Sequence, residues 1–146
     1  MVSRVSWRRW LAPLVVWALV LSARAIAAQD PPDTKSSMSG VFTAEQADKG
    51  QGLFSSLCVG CHTVSSHTGV PFKKRWNGET VWDLFDTIKE TMPDDDPGSV
   101  KTEDVTMIVA FLLKANGMPA GKDELTAKED QLKKIKIDVP DKTRRP

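Results

Sequence analysis

The run Cys58-Val59-Gly60-Cys61-His62 constrains this chain more than any other feature in it. On a helical turn, positions i, i+3 and i+4 share a face. Both thiols and the imidazole therefore point the same way, and Gly60 keeps the crowded turn open. The chain contains two Cys and two His in all. A disulfide-rich scaffold and a multi-zinc protein are both excluded by that count.

The spacing C-x-x-C-H is the attachment sequence of a c-type haem. Its two thiols add to vinyl groups on one edge of a porphyrin, and its imidazole reaches the iron from below. Three other readings compete. A Cys58–Cys61 disulfide would be strained across so short a loop. A thioredoxin-like redox pair needs a βαβ context, and no such pattern is present. A zinc site using His62 and His67 lacks a spacer of finger length, so four ligands would crowd one turn and loop.

The N-terminus reads as an address. Arg4, Arg8 and Arg9 precede an uncharged, mostly apolar run, Trp10–Ala23, that ends at Arg24. As a helix that run spans about 21 Å, short of the roughly 30 Å of a bilayer core. Ala25-Ile26-Ala27 fits an A-x-A cleavage site. Residues 1–27 are thus expected to be a secretory signal peptide, with an uncleaved anchor as the alternative. Without them, 16 basic and 19 acidic side chains remain, a net charge of −3. No membrane span is expected in the mature chain. The near balance of charge also excludes a strongly basic nucleic-acid binder.

The remaining sequence divides by composition. Residues 28–41, rich in Pro, Ser, Asp and Gly, are expected to be a flexible leader. Thr43 and Gln46 are spaced as a capping box, predicting a helix from Ala44 to the Cys58 region. Ala47, Phe54 and Leu57 fall on one face of it. Gly50 and Gly52 weaken this helix and ask for a close neighbour. His62–Asn77 reads as loop. A second helix is predicted over Glu79–Thr91, with Val81, Leu84, Phe85 and Ile88 as its stripe, stopping before Pro93. Asp94–Ser99 reads as a turn. A third helix is predicted over Glu103–Ala115, capped by Thr102 and ended by Asn116-Gly117, with Val105, Ile108, Val109 and Leu112 facing inward. Residues 122–146 are a charged extension. Leu125, Leu132, Ile135, Ile137 and Val139 give it the means to pack on the domain or leave it to trail. The fold class is all-α.

From Phe42 to about Leu125 the chain resembles class I cytochrome c. Gly50, Phe54 and Cys58 recur four apart, as in that family's N-terminal helix. Ile108, Ala110 and Phe111 fall where its C-terminal helix crosses, which makes Gly50 the expected contact. The segment Thr91-Met92-Pro93-Asp94-Asp95-Asp96-Pro97-Gly98-Ser99 resembles the sixth-ligand loop of small bacterial monohaem cytochromes. Those often accept electrons from quinoprotein dehydrogenases. Leu113–Gly121, with Glu124-Leu125, is similar to the later segment of the same group. The resemblance implies a cytochrome c fold over residues 42–121, with three main helices and long loops around one covalently bound haem c.

A second iron ligand is then needed. Met/His ligation raises the potential and suits electron transfer. Met38 lies in the leader, Met107 inside the third helix and Met118 just after it. Met92 lies in a loop beside a rigid Pro, and the resemblance also points to it. The expected metal ligands are His62 and Met92, with Met118 and then His67 as alternatives. A metal-bound His usually donates its other N–H to a fixed acceptor. By resemblance the Pro71 carbonyl is the candidate for His62. Trp76 is a candidate partner of a haem propionate through its indole N–H, with plain packing as the alternative. Trp82 and Phe85 read as core, and Phe72 is undecided.

The expected function is that of a soluble one-electron carrier, not an enzyme, in an exported respiratory or dehydrogenase chain. The periplasm is the default compartment. Its expected partners are transient redox proteins: a dehydrogenase as donor, and an oxidase or another cytochrome as acceptor. One alternative is a haem enzyme or sensor with a labile Met92, for which His67 alone could serve as a distal acid or base. Another is a fixed haem subunit of a membrane oxidoreductase.

Overall fold

A computed structural model describes residues 33–141 of the 146-residue chain. The expected signal peptide and residues 28–32 of the leader lie outside the described residues. The described part is mostly helical, and its main packing is one helix, Ala44–Leu57 (α1), laid across another, Thr102–Ala115 (α4).

Helix α1 begins at the expected cap. The Thr43 hydroxyl accepts from the Gln46 N–H at 3.2 Å, and Gln46 Oε1 accepts from the Thr43 N–H at 3.3 Å. Gln46 also grips the distant Leu125 backbone, accepting from its N–H at 2.8 Å and donating to its carbonyl at 2.9 Å. Gln46, Ala47, Gly50 and Phe54 form the buried face. Leu57, expected on that face, is half exposed because it sits at the helix end beside a cleft.

Gly50 has the neighbour its position asked for. A Cβ built on it would lie 1.9 Å from the Met107 carbonyl oxygen of α4 and 3.0 Å from Phe111 Cβ. Gly52 has nothing within 4 Å, so close packing does not explain it. Helix α4 is buried nearly all round, from Val105 and Thr106 through Ile108–Leu113. Thr102 does not cap it. Lys101 occupies the cap position without a side-chain bond, and Thr102 is the first helical residue.

Residues 62–77, expected as loop, contain a short helix, Val70–Trp76 (α2). Gly69 precedes it with φ +65°, a conformation that suits glycine. Pro71 lies in its first turn, where a missing N–H costs nothing. Lys73, Lys74 and Arg75 complement the negative end of the helix dipole. These local preferences outweigh the turn-forming residues that precede them. Helix α3 spans Val81–Thr91 and starts two residues later than expected. The delay comes from a second capping box: Thr80 N–H donates to Asp83 Oδ2 at 2.9 Å, and Asp83 N–H donates to Thr80 Oγ1 at 3.2 Å. The T-x-x-D spacing carried that signal.

The two ends of the described chain are knitted together. Lys35–Ser36 (β1) pairs in parallel with Ile135–Lys136 (β2). Ser37, next to β1, is fully buried, and its hydroxyl accepts from the Asp138 N–H at 2.9 Å. Residues 33–41, expected as the end of a flexible leader, are thus seated on the domain, since the C-terminal segment offers them backbone partners. That segment holds a one-turn helix, Glu129–Leu132 (α5). Its Ile137 is fully buried, donating to the Glu79 carbonyl and accepting from the Gly78 N–H, both at 2.8 Å.

Candidate functional site

Helix α1 stops at Leu57, and Cys58 caps its end. The Cys61 and His62 N–H groups both turn back to the Cys58 carbonyl, at 3.1 and 2.9 Å. This tight turn follows from the last free carbonyls of the helix; a Cβ on Gly60 would meet nothing within 4 Å, so the turn itself does not require a glycine there. It brings Cys58, Cys61 and His62 to one wall of a cavity of about 720 Å³. The two thiols are free.

Four further segments complete the walls. The loop before α2 and α2 itself contribute Ser66, His67, Pro71, Phe72, Arg75 and Trp76. Helix α3 contributes Leu84, Thr87 and Ile88, and α4 contributes Ile108 and Leu112. The loop after α3 brings Met92, Pro93, Asp94, Asp95 and Val100. The lining is dominated by apolar side chains with a few polar groups at the edges, as expected of a site for a large, flat, apolar ligand. Two thiols, two imidazoles and a thioether border it. The chemistry of this donor set fits a covalently held haem.

All six residues singled out in the sequence therefore border one space: Cys58, Cys61, His62, Pro71, Trp76 and Met92. Of the alternative ligands, His67 borders it too. Its ring centre lies 4.8 Å from that of His62, and Phe54 meets it edge-on at 6.0 Å. Met118 is buried in the core away from the cavity, its N–H bonded to the Leu113 carbonyl at 3.2 Å. Met107 lies on α4 behind Gly50, and Met38 stands beside β1. No hydrogen bond joins Pro71 to His62 among the described residues. The Arg75 guanidinium lies 4.9 Å over the Trp76 ring. Trp82 and Phe85 stack on each other with centres 5.5 Å apart, as core. Phe72 is buried with its ring at the cavity wall.

Burial pushes the Cys58 thiol above its ordinary pKa. Burial, and then the neighbouring His62, pull His67 below the usual imidazole range.

Sequence reasoning missed Asn116 as more than a helix end. Its Nδ2 donates to the carbonyls of Leu112 at 2.8 Å and His67 at 3.0 Å, while Oδ1 accepts from the Gly69 N–H at 2.9 Å. One buried amide thus pins the His67 loop to the end of α4. The only local signal was an Asn before Gly117 at a helix terminus.

Residues 45–112 match the protein family described as Cytochrome C oxidase, cbb3-type, subunit III. Residues 45–112 accordingly form a c-type cytochrome domain of class I, which implies covalently bound haem c and haem-based electron transfer. Cys58 and Cys61 stand in the attachment motif of that family. No curated protein and no solved structure matches the chain significantly.

Proposed function

We propose that this protein is an exported one-electron carrier holding one haem c through thioethers at Cys58 and Cys61, with His62 and Met92 as the iron ligands. One observation carries the reading. The attachment turn and Met92 face the same apolar cavity from different segments, whereas Met38, Met107 and Met118 lie elsewhere. When bound, the haem supplies an Fe(II)/Fe(III) couple whose potential depends on axial ligands and burial. The protein's share is to fix those ligands and keep water away. Phe54, Phe72, Leu84, Ile88, Ile108 and Leu112 form the apolar walls. Trp76 and Arg75, at the edge, suit the propionates.

Redox partners are implied by electron transfer, and the carrier meets them transiently in the periplasm after export. Among the described residues no helix is long and apolar enough to cross a membrane. An oxidised and a reduced absorption spectrum test the reading, on protein made in a host that attaches c-type haem. The expected result is a six-coordinate low-spin haem with a weak sulfur-to-iron band when oxidised. A high-spin spectrum, or ready carbon monoxide uptake when reduced, would mean an open iron and a sensor or enzyme. The description of the matching family favours a second reading, a fixed haem subunit of a larger oxidoreductase. Firm co-purification with membranes would select it.

A further inference from the structure

The loop from Met92 to Val100 closes one wall of the cavity, and its internal bonds are all short-range. Asp96 N–H donates to the Pro93 carbonyl at 3.1 Å, Ser99 N–H to Asp96 at 3.2 Å and Gly98 N–H to Met92 at 3.3 Å. These bonds curl the loop on itself. Its far end is tied to α3 by one side chain. Lys89, in the last turn of α3, donates from Nζ to the Gly98 carbonyl at 2.5 Å and to the Val100 carbonyl at 3.0 Å.

This use of a lysine is unusual in its surroundings. Glu90, Asp94, Asp95 and Asp96 are all close in sequence. An exposed lysine there would be expected to pair loosely with one of them. Lys89 is instead half-buried, and among the described residues it forms no ion pair with a carboxylate. Its charge is directed at two backbone carbonyls, in bonds about twice as strong as neutral ones. The two carbonyls belong to residues two apart and converge on one point, a geometry suited to a compact ammonium. Met92 and Val100, the loop's entry and exit, both line the cavity.

We propose that Lys89 is a positioning residue for Met92. It clips the 92–100 loop to α3, holds the thioether over the cavity and sets how readily an outside ligand displaces it. The inference rests on Met92 being the iron ligand.

Imidazole titration of the oxidised, haem-loaded protein tests it, followed by loss of the sulfur-to-iron band. Lys89→Met removes the charge and keeps the stem. It is expected to retain covalent haem and to bind imidazole at least about tenfold more tightly than wild type, the scale of one lost charge-assisted bond. Lys89→Arg keeps the charge but not the compact ammonium, and is expected to fall between wild type and Lys89→Met. Lys133→Met, which removes an exposed lysine paired with Glu129 in the C-terminal segment, serves as the control and should leave the affinity unchanged. If Lys89→Met does not accumulate, Lys89→Gln is read by the same criterion. A wild type with the band and a Lys89→Met affinity within about twofold of it would overturn the proposal alone. A wild type without the band would overturn the Met92 assignment and the proposal with it.

Discussion

The backbone carbonyl of Met107 occupies the space where a side chain on Gly50 would begin, 1.9 Å from the ideal Cβ position. Helices α1 and α4 meet backbone to backbone at this point, with the Phe111 side chain alongside. The turn carrying Cys58, Cys61 and His62 is the continuation of α1, so this contact fixes where one wall of the cavity starts.

Gly50→Ala is therefore expected to force the helices apart and cost about 1–3 kcal/mol or more, as overpacking does. Gly52→Ala, two residues away with open space around it, is expected to stabilise by up to about 1 kcal/mol through helix propensity. Denaturant midpoints of the two holoproteins check the opposite signs.

Asn116→Ala is expected to destabilise the protein by about 1–3 kcal/mol, because it leaves partly buried backbone groups at His67 and Gly69 without their partner. Asn116→Asp should be no better. A carboxylate can still accept from Gly69, but it cannot donate to His67 or Leu112. Thermal unfolding of both variants, compared with wild type, decides this.

The methionines separate in a spectrum. Met92→Ala is expected to leave the haem attached, abolish the sulfur-to-iron band and lower the reduction potential. Met118→Leu and Met107→Leu are expected to keep the band, since neither side chain borders the cavity. An unchanged potential in Met92→Ala would remove Met92 from the site.

Ile137 lies outside the segment matched by the cytochrome family yet is fully buried. Ile137→Ala is expected to cost about 2–5 kcal/mol, the range for truncating a core isoleucine. Urea unfolding measures it, and a loss below about 1 kcal/mol would mean that the C-terminal segment only rests on the domain.

Much of the site was legible because it is local. Five consecutive residues encode the attachment turn, and a helix stop before Pro93 puts Met92 in a loop. The helix stripes were legible too, but not what they face. Leu84 and Ile88 read as core and also line the cavity, since periodicity marks an apolar face without naming its neighbour. Helix α2 was hidden by the Ser, Thr and Gly residues before it, and its single buried residue, Phe72, makes no periodic pattern. The links made by Gln46, Asn116 and Lys89 could not be read at all. Each joins a side chain to backbone carbonyls or N–H groups, which carry no residue-specific signal. Gln46 and Asn116 also reach across more than 40 positions.

The pairing of Lys35 with Ile135 brings together residues a hundred positions apart. A two-residue ladder cannot by itself offset the entropy of closing so long a loop, which grows with the logarithm of its length. It forms once α1 and α4 have docked and shortened the path between the ends. The seam is thus the last part of the molecule to assemble and the first to open. In hydrogen exchange the amides that join the two ends, Lys35 and Asp138 among them, should trade protons through local openings well below the free energy of global unfolding, while those of α4 wait for the whole domain to come apart.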